Sequence, residues 1–93
     1  MKQFTIDFAN VKTVFDFYGT IIAGLKLPDW CGQNFSAIWD MLTGYMEFPA
    51  TIIMHGTALL PKEFEDKMNR LMLMFQRAED RYDDVKITIK IIS

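Results

Sequence analysis

The chain has 93 residues, 51% of them hydrophobic and 24% charged, with one cysteine and a formal charge of −2. Those values fit one globular domain over residues 1–93 and exclude a disordered or fibrous chain, and a lone Cys31 excludes an internal disulfide framework. No apolar run reaches membrane-spanning length and residues 1–12 lack the basic and apolar regions of a secretory signal, so the expected location is cytoplasmic.

Phe4, Ile6 and Phe8 alternate with polar residues, which predicts a strand over residues 3–8 with one buried face. Val11, Val14, Phe15, Tyr18, Ile21, Ile22 and Leu25 recur at helical spacing. A helix over residues 11–23 is expected, capped by Asn10 at its start and Gly24 at its end. Pro28 blocks continuation and residues 27–33 form a loop. Asn34 is the expected N-cap of a second helix over 35–43, closed by Gly44. Phe35, Ile38 and Leu42 face inward there, and Ser36, Trp39 and Asp40 fall toward another side. The apolar run at 50–54 predicts a strand buried on both faces. Pro61 suits the first turn of a third helix over 62–81, whose stripe is Phe64, Met68, Leu71, Met72, Phe75 and Ala78. Asp83 and Asp84 break it. Val85, Ile87, Ile89 and Ile91 mark a last strand over 85–92, an edge strand with one wet face. Strands separated by helices predict an α/β fold: a small three-stranded parallel sheet with right-handed crossovers, packed with three main helices.

The charge is unevenly spread. Residues 27–61 hold Asp29, Asp40 and Glu47 but no Lys or Arg, and also Trp30, Phe35, Trp39, Tyr45 and Phe48. An acidic, aromatic segment is a candidate surface for a basic partner, and no basic nucleic-acid footprint accompanies it. Neither nucleic acid nor membrane is an expected partner. Catalytic signatures are absent: one His, one Cys, no Gly-rich phosphate loop and no metal-ligand spacing, so neither enzyme activity nor a cofactor is expected. A Cys31–His55 pair would need the fold to bring the two together; the plainer expectation is a small half-buried loop cysteine and a strand-end histidine. The methionines of the third helix are expected as core filler, with a weak homo-oligomer through the apolar run at 71–75 as the other reading.

Residues 25–49, LKLPDWCGQNFSAIWDMLTGYMEFP, are less generic. Leu27, Pro28, Asp29, Trp30, Gly32 and Asn34 are followed by Phe35, Ala37, Ile38, Trp39, Asp40, Leu42, Thr43, Gly44 and Tyr45, then by Glu47, Phe48 and Pro49. This pattern resembles the barstar family, small intracellular inhibitors of barnase-type ribonucleases, and the order of elements and the length agree. The resemblance implies a barstar-like fold and a one-to-one complex with a ribonuclease or related toxin domain, in the manner of an immunity protein or toxin–antitoxin pair. It implies that the loop and helix around residues 28–45 plug the nuclease active site, with Asp40 taking the place of a substrate phosphate. Trp30 corresponds to an aromatic that packs on the enzyme's catalytic region, and Asn34, Trp39 and Tyr45 match contact positions.

The chain departs from the family at Ser36, where an acid is expected, and at Arg77 and Arg81, which replace acids of the third helix. Ser36 and Arg77 therefore join the candidate partner-binding residues. The thinner acidic face implies a cognate ribonuclease other than barnase, less basic or with an acid facing Arg77. The alternative is a barstar-fold binding module with a basic partner that is not a nuclease. Each residue also has a plainer role: Asn34 as a cap only, Trp39 as core, Asp40 as a solvated surface acid.

Overall fold

The computed structural model describes residues 2–92. The chain order is β1 (Lys2–Asp7), α1 (Val14–Gly24), α2 (Phe35–Gly44), β2 (Ala50–His55), two single-turn 3₁₀ helices (Thr57–Leu59 and Lys62–Phe64), α3 (Glu65–Arg81) and β3 (Ile87–Ile92). The three strands are parallel in the order β1-β2-β3. This is the expected α/β sheet with three helices, and β3 is an edge strand.

The strand order decides where the helices go. Both crossovers step in the same direction across the sheet, and right-handed crossovers of that kind place all their helices on one face. Burial follows. Phe4, Ile6, Ala50, Ile52, Met54, Ile87 and Ile89 lie on the covered face in register with one another and are buried or half-buried. On the other face Gln3, Thr5, Asp7, Thr88, Lys90 and Ile92 are exposed, and Ile53 and His55 are half-buried. The expectation that β2 is buried on both faces holds in part: Ala50, Ile52 and Met54 are buried on the covered face and Thr51 on the open one, but Ile53 is only half-buried, and the apolar run marks the strand's central place in the sheet. The strand bounds shift as well. Phe8 follows β1, and Val85 precedes β3 as a buried loop residue.

The first helix starts three residues later than its periodicity suggests. Its N-cap is Thr13, not Asn10: Thr13 Oγ1 accepts the Asp16 N–H at 3.0 Å, and Asp16 Oδ2 accepts the N–H groups of Thr13 and Lys12. This is a reciprocal capping box. The Lys12 and Thr13 amides hold the Asp16 carboxyl below its ordinary range. Val14 and Phe15 consequently sit in the first turn facing outward, with Phe15 70% exposed, while Phe17 takes the central buried place.

The end of α1 is also corrected. Lys26, not Gly24, takes the left-handed position, at φ 56°. Its N–H donates to Ala23 and that of Leu27 to Ile22, the paired bonds of a Schellman cap. Gly24 is glycine for packing: a Cβ there would stand 2.7 Å from Ile6 Cγ1 and 2.8 Å from the Thr5 carbonyl oxygen. Close approach of α1 to β1 depends on that missing atom.

Under the sheet, Ile6, Phe8, Ile52 and Met54 meet Phe17 and Ile21 of α1, Ile38 and Leu42 of α2, and Leu71, Phe75 and Ala78 of α3. Lys62 to Phe64 form a 3₁₀ turn rather than the first turn of α3, with the Phe64 N–H on the Pro61 carbonyl. The run at 71–75 is split by the helix: Leu71, Met74 and Phe75 are core, while Leu73 is 47% exposed.

Candidate functional site

Leu27 and Cys31 are buried and pin the loop before α2 to the core. The Cys31 amide donates to the Pro28 carbonyl, and the Asn34 amide to that of Gly32. Burial pushes the Cys31 thiol pKa up, and the thiol lies 3.6 Å from the Gly32 oxygen, so Cys31 is a packed residue, more buried than expected. A loop tied down on both sides of Trp30 holds that indole out into solvent, 74% exposed.

Asn34 caps α2 as expected: its Oδ1 accepts the Ala37 N–H at 2.8 Å. Asn34→Ala is predicted to lower folding stability by about 1 kcal/mol, and Asn34→Asp to preserve it, in urea unfolding. An Ala variant as stable as the native chain would remove the cap as the source of α2's rigidity.

α2 buries Ile38 and Leu42, which turns Ser36, Trp39 and Asp40 toward α3 and solvent. Arg70, Arg77 and Arg81 are spaced by seven and four, so they form one stripe along α3. The two helices bound an open cleft of about 690 Å³ into which Ser36, Trp39 and Asp40 face Arg70, Arg77 and Arg81. Phe35, Leu73 and Met74 supply its apolar wall. The Arg70 guanidinium lies 4.9 Å from the Phe35 ring centroid and that of Arg81 5.8 Å from Tyr82. Trp39, half-buried, is tilted against Tyr82 at 6.5 Å. Among the described residues the only ion pair within 4.0 Å is Lys2–Glu47. The exposed Asp40 carboxylate therefore forms no ion pair among the described residues and keeps its acceptor sites open to solvent.

Four of the seven sequence candidates, Ser36, Trp39, Asp40 and Arg77, line this cleft. Trp30, Asn34 and Tyr45 do not line it; they are exposed at the two ends of α2, Trp30 and Asn34 before it and Tyr45 as its C-cap. A ten-residue helix spans about 15 Å, so the seven form an elongated strip rather than one pocket. Arg70 and Asp80 also line the cleft and were not among the candidates; the helical spacing of Arg70 from Arg77 was the signal available for the first.

Cys31 and His55 are not brought together. Cys31 packs in the core under the sheet, and His55 lies on the sheet's opposite face. Among the described residues no group of three His, Cys, Asp or Glu side chains could hold a metal ion, and no helix is long and apolar enough to cross a membrane.

Comparison with known proteins matches residues 1–93 to the family model described as Barstar (barnase inhibitor). The chain is also similar to a Bacillus subtilis (strain 168) protein named "Putative ribonuclease inhibitor YrdF", with 27% identity over 85 residues covering 90% of each protein.

Proposed function

This chain belongs to the barstar family, and we propose that it inhibits a barnase-type ribonuclease one-to-one by filling the active site with the loop and helix of residues 28–45. The family match and the named relative support a ribonuclease-inhibitor role. The observation that carries the finer reading is Asp40: exposed on the outer face of α2, beside a half-buried Trp39, with no cation of the described residues within ion-pair distance.

A ribonuclease must concentrate positive charge to hold a phosphodiester. A carboxylate presented in that place accepts charge-assisted, two-pronged hydrogen bonds from the same side chains. Ile38 and Leu42 anchor the helix that carries it and Asn34 caps its start, so little order remains to be imposed on binding. On this reading Trp39 beside it excludes water around the ion pair, and Trp30 on the preceding loop extends the contact beyond the cleft. An inhibitor that acts where the nuclease is made fits the role of an immunity protein.

The test is titration of a panel of barnase-type ribonucleases with this chain. The reading predicts loss of activity at one equivalent for at least one enzyme, with affinity that falls as salt rises. A folded chain that inhibits no member of the panel supports the non-nuclease binding module instead.

A further inference from the structure

Arg70, Arg77 and Arg81 line the cleft opposite Asp40, and filling a cationic active site with Asp40 does not by itself use them. Their settings differ. Arg70 lies over the Phe35 ring and Arg81 beside Tyr82. Arg77 is exposed, and among the described residues it has neither a ring contact nor an ion pair. Asp80, the second carboxylate of the cleft, accepts from Gln76 Nε2 at 3.1 Å and forms no ion pair within 4.0 Å among the described residues. Residues 27–61 contain no Lys or Arg, so the α2 wall is purely acidic and the cations come from α3. The surface therefore has two signs across one cleft. A uniformly cationic enzyme suits Asp40 but is repelled by Arg77. A purely anionic ligand is repelled by Asp40 and Asp80.

Building on the inhibitor reading, we infer that Arg77 is a specificity-determining residue. It pairs with a carboxylate at the rim of the partner's cationic cleft and rejects basic ribonucleases that have none there. The guanidinium geometry suits a two-pronged bond to that carboxylate, and Arg81, one turn further on, extends the same wall. Rejection by like charge is how a surface chooses among enzymes that all share a cationic active site.

The probe is barnase, a ribonuclease of the type that the family's description names. Its affinity is measured for the native chain, R77Q, R77E and the double variant R77E/D40A, at low and high salt, with thermal melts to establish that each is folded. R77E is expected to bind barnase about tenfold more tightly or better than the native chain, with R77Q between them and the gain shrinking at high salt. R77E that binds barnase no more tightly than the native chain overturns the inference. The double variant separates the two claims: binding lost with Asp40 supports the inhibitor reading, whereas R77E/D40A retaining the full affinity of R77E overturns that reading whatever the effect of Arg77.

Discussion

Asp40→Ala is expected to weaken binding to the cognate ribonuclease by about two orders of magnitude or more, because it strands the enzyme's phosphate-binding cations in a dry interface. The loss should appear mainly in the dissociation rate, with a smaller fall in the association rate. Stability should not fall with it. Asp40 is exposed and caps nothing, and alanine is the better helix former at a mid-helix position. Asp40→Asn, which keeps the shape and removes the charge, should lose most of the same affinity. Trp39→Ala should also weaken binding, but it loosens the contact with Tyr82 and so mixes interface with packing. Surface plasmon resonance on the tightest enzyme of the panel, with melting curves in parallel, checks all three. An Asp40→Ala variant of native affinity would return this residue to an ordinary solvated acid.

Phe17→Ala is expected to cost about 3–5 kcal/mol of folding stability, the range for removing a buried aromatic ring. Phe17 has no exposed surface and stands at the centre of an aromatic cluster. Its ring lies 5.5 Å from Phe64, 5.6 Å from Tyr18, 5.8 Å from Phe8 and 6.3 Å from Phe35. Those rings come from the β1–α1 connection, α1, α2 and the turn before α3, so no single neighbour can collapse into the space. Against a total of about 5–15 kcal/mol for a small domain, such a loss leaves the fold marginal. The effect should also reach the cleft, because Phe35 is both a member of this cluster and the platform under Arg70. Urea unfolding measures the first consequence and ribonuclease affinity the second. A loss under about 1 kcal/mol would contradict the central place given to this ring.

Element types and their order were legible in the residues because period-two alternation at Phe4, Ile6 and Phe8 and the helical period of α3 are strong signals. The start of α1 was not. Apolar periodicity ran through Val11, Val14 and Phe15, but the Thr13–Asp16 capping box, a local hydrogen-bond pattern, set the start and turned Val14 and Phe15 outward. Gly24 was misread because two demands compete for glycine near a helix end. Close packing on Ile6 needed it at one position, and Lys26 bears the left-handed conformation instead. Burial of β2 on both faces is incomplete for a topological reason: a one-directional strand order keeps every helix on one side, so Thr51 is buried on the open face but Ile53 and His55 are only half-buried, and an apolar run does not carry that information.

At the site, α2's own periodicity put Ser36, Trp39 and Asp40 outward and Asn34 at the cap, as the sequence implied. What it did not reveal was the opposite wall. Arg70 and Asp80 join the cleft through tertiary packing of α3 on α2, thirty or more positions away along the chain. The stripe of arginines is a regular feature of α3, but its meaning depends on which helix it faces.

The central claim, that a carboxylate of α2 takes the place of a substrate phosphate, is tested most directly by competition. The affinity of this chain for the ribonuclease it inhibits is measured while a 3′-mononucleotide is titrated into the enzyme's active site. Mutually exclusive binding is predicted, with the apparent Kd for the native chain rising linearly with free nucleotide concentration and doubling where the nucleotide half-fills the enzyme's site. A stable ternary complex of enzyme, nucleotide and inhibitor, with an unchanged Kd, would contradict the account.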